Sequence, residues 1–170
     1  EEGNYELTDW MKEITRPAAV THNHNVAIVG SASKFNYRAA INYKNAEGIA
    51  KNNNREEFLA KIAASQKALD GWLELQYDLS YMHYRNDYNS TDWKMAAVLN
   101  PTYPVYDKAN PNGYYKPGGT GEGNPVEHMN QKESYQDGNY FRGSVKATIN
   151  IKPVKGLRVS GFAAIEEGDN

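Results

Sequence analysis

A stretch of strict alternation over residues 72–84 constrains the fold more than any other part of the sequence. Apolar side chains fall on one parity and polar side chains on the other: Leu73, Leu75, Tyr77, Leu79 and Tyr81 against Glu74, Gln76, Asp78 and Ser80. Successive side chains of a β-strand point to opposite faces, so this stretch predicts a strand with one apolar and one polar face. A globular strand usually has about five or six residues, whereas a strand that crosses a bilayer needs about 9–11. The predicted strand is long enough to cross a membrane.

The same alternation recurs in five other stretches. Residues 35–44, 145–152 and 157–166 alternate clearly, and residues 24–30 do so weakly. Residues 58–68 also alternate, and although their alanines and lysines fit a helix, the neighbouring strands favour a strand there. The shared parity predicts an antiparallel meander with one face toward lipid. The predicted lipid-facing residues are Phe35, Tyr37, Ile41, Tyr43, Leu73, Leu75, Tyr77, Leu79, Val145, Ile149, Val159 and Ile165.

The composition supports a membrane β-structure over an ordinary globular core. Mean hydropathy is -0.80, yet the 170 residues include 13 tyrosines and three tryptophans. Disordered chains are poor in aromatic residues, whereas membrane β-barrels combine water-facing polar side chains with aromatic girdles at both interfaces. The sequence contains no run of about twenty apolar residues, so it predicts no transmembrane helix. The net charge of -2 without a basic block argues against a nucleic-acid partner, and the absence of cysteine excludes disulfides and thiolate metal sites.

Short and long connections alternate along the predicted strands. The connections at residues 31–34, 69–71 and 153–156 are short, whereas those at 45–54 and 85–138 are longer. Bacterial outer-membrane barrels have short periplasmic turns and long extracellular loops, so this pattern places the two longer connections outside the cell.

Two segments outside the strands have helical features. Residues 91–99 predict a short capped helix inside the long connection. Residues 8–16 fit either a helix capped by Thr8 or Asp9, or an earlier strand that would rise through the membrane. The chain is therefore expected to hold six or seven strands.

Several short motifs, in this order, resemble the SusC/RagA family of TonB-dependent outer-membrane transporters. The resemblance spans most of the chain and rests on order and spacing together. The motifs are Thr8-Asp9-Trp10, Asn23-His24-Asn25, Gly30-Ser31, Tyr43 through Glu47-Gly48-Ile49, Trp72-Leu73, Pro101 through Asp107, Asn124-Pro125 and Lys155-Gly156-Leu157.

The resemblance implies a plugged barrel of the largest size class, about 22 strands, in the bacterial outer membrane. It also implies import of oligosaccharides or peptides, a SusD-like surface lipoprotein as partner, and TonB as the source of energy through parts of the protein outside these residues. Nothing in the sequence resembles a signal sequence, a TonB box or the plug. We therefore expect residues 1–21 to be the plug–barrel junction and residues 22–170 to be the N-terminal part of the barrel, with its extracellular loop at 85–138.

The sequence supports no catalytic residues, no metal site and no cofactor. His22 and His24 share one strand face, but two imidazoles without a third ligand make a poor metal site. No carboxylate pair or activated nucleophile has recognisable spacing, so an enzyme is not expected. Among the aromatic side chains of the long connection, Trp93, Tyr114 and Tyr115 are candidate substrate contacts, since exposed rings can stack on sugars or hold peptide side chains. The alternative function is a soluble all-β carbohydrate-binding module, whose strands would be shorter.

Overall fold

Six long strands form one sheet in which neighbours in sequence are neighbours in space. The computed structural model describes residues 7–88, 91–118, 123–131, 134–154 and 156–169. The strands are β1 Thr21–Ala32, β2 Phe35–Glu47, β3 Asn54–Ala68, β4 Leu73–Asp87, β5 Tyr135–Asn150 and β6 Arg158–Asp169. The predicted all-β antiparallel meander is confirmed, and β5 and β6 pair in antiparallel register with Ile149 opposite Val159.

The strands extend beyond the sequence prediction at several ends. β3 is a strand, as its neighbours favoured, but it begins at Asn54. β5 begins at Tyr135, inside the predicted loop 85–138. β4 continues to Asp87, so the outer ends of the predicted loop 85–138 belong to strands. Polar residues at these ends conceal the alternation, because both strand faces are polar there.

Contacts between neighbouring strands show which side chains share a face of the sheet. A Cβ atom on Gly30 would lie 2.2 Å from Cε1 of Tyr37, so β1 and β2 share this face. On the opposite parity, Nδ2 of Asn36 donates to Oγ of Ser65 at 3.4 Å, which joins β2 and β3. A Cβ on Gly143 would lie 3.2 Å from Cδ2 of Leu79, which joins β4 and β5. The sheet therefore has two distinct faces. The face that carries Tyr37 is called the apolar face, and the face that carries Asn36 is called the polar face.

The twelve residues predicted to face lipid all have the parity of the apolar face. Most of them are exposed, and the others, including Leu73 and Leu75, are half-buried. Charged side chains on this face lie within three residues of a strand end: Glu47, Glu56, Arg85, Asp87, Asp137, Glu167 and Asp169. Between those ends the described apolar face carries no charge, which is the pattern of a strand surface in hydrocarbon.

A second compact unit is built from helices. The chain divides into a sheet unit, residues 22–45, 56–85 and 137–170, and a helical unit, residues 1–21, 46–55 and 86–136. The helical unit contains α1 Trp10–Ile14, α2 Trp93–Val98 and α3 Pro125–Gln131. The helix predicted inside the long connection is confirmed as α2, and α3 is a second one that the sequence analysis missed.

The N-terminal segment forms a helix, so of the two alternatives for residues 8–16 the helix is confirmed and the earlier strand is wrong. Asp9 caps α1, since its side chain accepts from the backbone N–H of Lys12 at 3.1 Å. Trp10 and Ile14 lie one helical turn apart and are both buried, so one face of α1 packs into the core. Among the described residues, no helix has the length and apolar character needed to cross a membrane.

Candidate functional site

Residues 105–115 form a short hairpin, rich in tyrosine, within the helical unit. Tyr106 and Tyr114 form an isolated antiparallel bridge, and the backbone N–H of Tyr115 donates to the carbonyl of Val105 at 3.1 Å. Gly113 has φ +76°, which allows the tight reversal between the two arms. The hairpin therefore places its aromatic rings in fixed positions.

The rings of this hairpin meet in two pairs. The centroids of Tyr103 and Tyr115 are 5.2 Å apart, and those of Tyr106 and Tyr114 are 5.5 Å apart. The hydroxyl of Tyr114 also accepts from Nδ2 of Asn130 at 2.9 Å, and its ring packs against the buried core. The two predicted substrate contacts on the hairpin, Tyr114 and Tyr115, are thus half-buried and engaged in packing.

The third predicted contact is separate from the hairpin rings. Trp93 is the first residue of α2 and is 40% exposed. Tyr106, which the sequence analysis did not name as a substrate contact, is 62% exposed and pairs with Tyr114. Trp93 and Tyr106 therefore offer the most accessible aromatic surface among these residues.

A buried asparagine joins the hairpin to α3. Asn124 is 1% exposed, and its Nδ2 donates to the carbonyls of Val105 at 2.8 Å and Tyr115 at 3.1 Å. Its Oδ1 accepts from the backbone N–H groups of Val126 at 3.1 Å and Glu127 at 3.3 Å, where it caps the helix. One side chain thus satisfies four backbone groups from three segments, and it uses both its amide nitrogen and its amide oxygen to do so.

Asn124→Asp is expected to destabilise the helical unit by about 2 kcal/mol, because a carboxylate oxygen would replace Nδ2 and face the two backbone carbonyls to which Nδ2 donates. The measurement is the hydrogen-exchange rate of the α3 amides in the full-length protein. Asn100→Asp is the matched control, since Asn100 is exposed and uses its side-chain oxygen only as an acceptor toward Thr102. Equal acceleration in both variants would contradict the role given to Asn124.

Three hydrogen bonds join the N-terminal segment to the long connection. Thr8 donates from its backbone to the carbonyl of Pro101 and from its hydroxyl to that of Tyr103, both at 2.7 Å. Nε1 of Trp10 donates to the carbonyl of Asn100 at 3.1 Å. These contacts span about ninety residues of sequence and belong to one unit.

The same segment also holds the connection between β2 and β3. Nη1 of Arg16 donates to the carbonyls of Gly48, Ala50 and Asn53 at 2.7, 2.6 and 3.1 Å. Thr15 forms an isolated bridge with Ala50 in the same place. Arg16 therefore fixes the shape of the loop at residues 48–53.

The polar face of the sheet unit carries hydrogen bonds between neighbouring strands. Nδ2 of Asn42 donates to Oδ1 of Asn23 at 2.8 Å, and Arg142 pairs with Glu166 at 2.8 Å. A groove of about 460 Å³ lies in this unit. Its polar lining is Asn25, Arg38, Asn42, Lys61, Asp78 and Ser80. The sequence analysis placed Asp78 and Ser80 on a polar strand face but named none of these residues as a site.

The two histidines of β1 stack on the apolar parity. The rings of His22 and His24 are 6.4 Å apart and nearly parallel, at 8°. Among the described residues, no three histidine, aspartate or glutamate side chains gather closely enough to hold a metal ion. The pair lies at the N-terminal end of β1, which begins at Thr21.

Comparison with known proteins finds similarity to a TonB-dependent receptor. No protein-family model matches the chain. The TonB-dependent receptor SusC of Bacteroides thetaiotaomicron is 30% identical over 115 residues, which are 64% of this chain and 11% of the receptor. The resemblance to the SusC/RagA family is confirmed. The chain spans about a tenth of the length of this SusC relative.

Solved structures of the RagAB peptide importer share the fold. The structure of its closed-closed state matches with a TM-score of 0.73 at 20% identity, over 95% of this chain and 19% of the importer chain. A second structure, of the RagAB peptide transporter, gives a TM-score of 0.74 over the same shares. The six-stranded meander with its helical connection is therefore an architecture found within the SusC/RagA family. The names of these relatives describe a receptor and an importer, and none describes an enzyme.

Proposed function

We propose that this chain is part of the barrel wall of a TonB-dependent outer-membrane transporter that imports oligosaccharides or peptides. The observation that carries the proposal is the uncharged apolar face, which runs across all six strands and ends in charged residues near the strand ends. The strands have 12–16 residues, which exceeds the length of about 9–11 that a tilted strand needs to cross a bilayer. In this proposal the twelve apolar residues contact membrane lipid, and the polar face lines the lumen.

The domain assignment follows from the same proposal. Residues 22–170 form an N-terminal part of the wall, with the long connection on the extracellular side, and residues 1–21 join it to the plug. The packing of Thr8 and Trp10 on the connection supports a structured junction instead of a free linker. Strand β1 then runs toward the periplasm.

The resemblance to the SusC/RagA family also supports two proposed protein partners. A SusD-like lipoprotein covers the extracellular side, TonB acts through parts of the protein outside these residues, and no cofactor or catalytic step is involved. Trp93, Tyr114 and Tyr115 contact substrate in this proposal. Among them, Trp93 is the most accessible to a substrate, because its ring is exposed. Tyr114 packs against Tyr106, and Tyr115 packs against Tyr103.

Uptake by whole cells tests the proposed function. Cells that carry the full-length protein are compared with a deletion strain for import of labelled oligopeptides and oligosaccharides, with and without a protonophore that removes the energy for TonB. We expect the full-length protein in the outer-membrane fraction and uptake that requires both the protein and the proton gradient. Recovery of the protein in the soluble fraction, or unchanged uptake after deletion, would refute the proposal.

Residues 1–170 expressed alone without detergent are expected to form no stable soluble monomer. The described apolar face is not covered by a second sheet, and an exposed patch of this size drives association in water. The edge strands β1 and β6 add unpaired backbone groups that recruit other chains. Light scattering measures the outcome. A monodisperse monomer that melts cooperatively would instead support the alternative function, a soluble all-β carbohydrate-binding module.

A further inference from the structure

The N-terminal segment pairs with the connection between β2 and β3. The backbone N–H of Arg16 donates to the carbonyl of Ile49 at 2.8 Å, and the backbone N–H of Lys51 donates to the carbonyl of Ile14 at 2.9 Å. Nζ of Lys51 also donates to the carbonyl of Glu13 at 2.7 Å. Because these bonds run in both directions between the two segments, the N-terminal segment is held beside this connection.

The same segment packs against the connection between β4 and β5. Trp10 of α1 lies in one buried core with Ala96 of α2 and Val126 of α3, and both of those helices lie inside that connection. All of these contacts fall within the helical unit, whereas the three short turns between strands belong to the sheet unit. The N-terminal segment therefore shares a unit with the two connections that the proposed topology places outside the cell.

β1 begins at the end of the sheet where β2 finishes. The backbone N–H of Glu47, the last residue of β2, donates to the carbonyl of Val20 at 3.0 Å, and Oε2 of Glu47 accepts from the backbone N–H of Val20 at 3.2 Å. Val20 directly precedes β1, and Glu47 directly precedes the connection at residues 48–53. In the proposed topology β1 thus starts on the extracellular side, and the N-terminal segment occupies the position of an extracellular loop.

The strand order indicates what covers the free edge of β1. This strand is the first of the described sheet, and it is exposed at every position except Gly30. A strand within a bilayer needs hydrogen-bond partners along both edges, because no water is available there. Every connection of the described sheet joins neighbouring strands, and successive connections lie at opposite ends. The same rule places an ascending strand directly before the N-terminal segment and beside β1.

We propose that a further strand of the full-length protein, N-terminal to residue 1, ascends through the membrane and pairs with the free edge of β1, so that residues 7–20 belong to an extracellular loop. The inference rests on the proposed transport function. The residues matched to SusC are 11% of that receptor, so a protein of comparable length has ample chain for this strand. Residues 1–21 then lead to the plug by way of one more strand of the wall.

Cysteine labelling in intact cells tests on which side the N-terminal segment lies. Ala18→Cys and Ser33→Cys are introduced singly into the full-length protein, in a background from which any other cysteine has been removed. The reagent is a maleimide on a polymer too large to cross the outer membrane. Both native residues are small and exposed, Ala18 before β1 and Ser33 in the turn after it. We expect Ala18→Cys to be labelled in intact cells and Ser33→Cys only after permeabilisation.

A photo-crosslinking amino acid in place of Val26 identifies the strand beside β1. Val26 is 67% exposed and lies on the apolar face, so a crosslinker there samples neighbouring strands and not the lumen. Mass spectrometry is expected to find adducts with β2 and with a peptide of the same protein that precedes residue 1. The same amino acid in place of Ile41 of β2 is the control, and it is expected to reach only β1 and β3.

Two results would overturn the inference. One is labelling of Ala18→Cys only after permeabilisation, and the other is an adduct of position 26 with the C-terminal part of the protein in place of the preceding strand. Fractionation of the same cells separates this failure from failure of the proposed function. Either result for a protein in the outer membrane contradicts only the preceding strand, whereas recovery in the soluble fraction refutes the transport function and the inference with it.

Discussion

Trp10→Ala is expected to open the helical unit in the full-length protein. Trp10 is 3% exposed and packs in a core with Ile14 of α1, residues of α2 and α3, and Leu99 after α2. Truncating a buried tryptophan costs about 3–5 kcal/mol, and here the carbonyl of Asn100 also loses the indole donor. Because the core is small, that loss is comparable to the stability that such a unit can have.

Hydrogen exchange measures this effect locally. The amides of Ala96 and Leu99 donate to Asp92 and Met95 within and just after α2, so their protection reports closure of the unit. Trp93→Ala is the control, since it removes the same side chain from an exposed position one helix away. Protection that falls equally in both variants, or in neither, would contradict the assignment of Trp10 to the core.

Leu75→Arg is expected to impair assembly of the transporter in the outer membrane. Leu75 has the parity of the apolar face and lies within the uncharged part of β4. An arginine that faces lipid costs about 2–4 kcal/mol at the bilayer midplane. The measurement is the amount of folded protein in the outer membrane, read from its heat-modifiable mobility on a gel.

The neighbouring residue provides the control for that prediction. Gln76→Arg introduces the same charge on the polar face, one position along the same strand. We expect its effect on assembly to be far smaller, because an arginine there remains in water. Equal losses in both variants would count against the assignment of faces.

Most of the sheet could be predicted from the sequence because the strand signal is local. In β4, the alternation from Leu73 to Tyr81 fixes both the strand and its faces without knowledge of any neighbour. β3 was ambiguous, since its alanines and lysines fit a helix, and pairing with β2 and β4 decides the outcome. The ends of β4 and β5 were missed because polar residues occupy both faces there.

The helical unit could not be predicted because its determinants are distant in sequence. Trp10 reaches Asn100, and the core combines side chains from α1, α2 and α3 that no local pattern associates. A signal for α3 was present: Asn124 followed by Pro125 is a favourable start for a helix, with a capping side chain and proline at the first position.

The candidate site was predicted only in part. Aromatic residues of the long connection were identified, but their pairing depends on the hairpin between Val105 and Tyr115, which the sequence does not reveal. The groove on the polar face was missed because Arg38 and Lys61 lie on different strands, and the sequence does not give the register that brings them to one groove.

Site-directed spin labelling of β4 tests the central claim, that one face of this sheet contacts lipid, most directly. Single cysteines are placed in turn at positions 73–80 of the full-length protein in bilayers, in a background from which any other cysteine has been removed; residues 1–170 contain none. Relaxation by oxygen, which concentrates in lipid, is compared with relaxation by a water-soluble nickel complex. We predict strong oxygen relaxation at odd positions such as Leu75 and Leu79, strong nickel relaxation at even positions such as Gln76 and Asp78, and thus a period of two. Accessibility to the nickel complex at every position would contradict the membrane-spanning sheet.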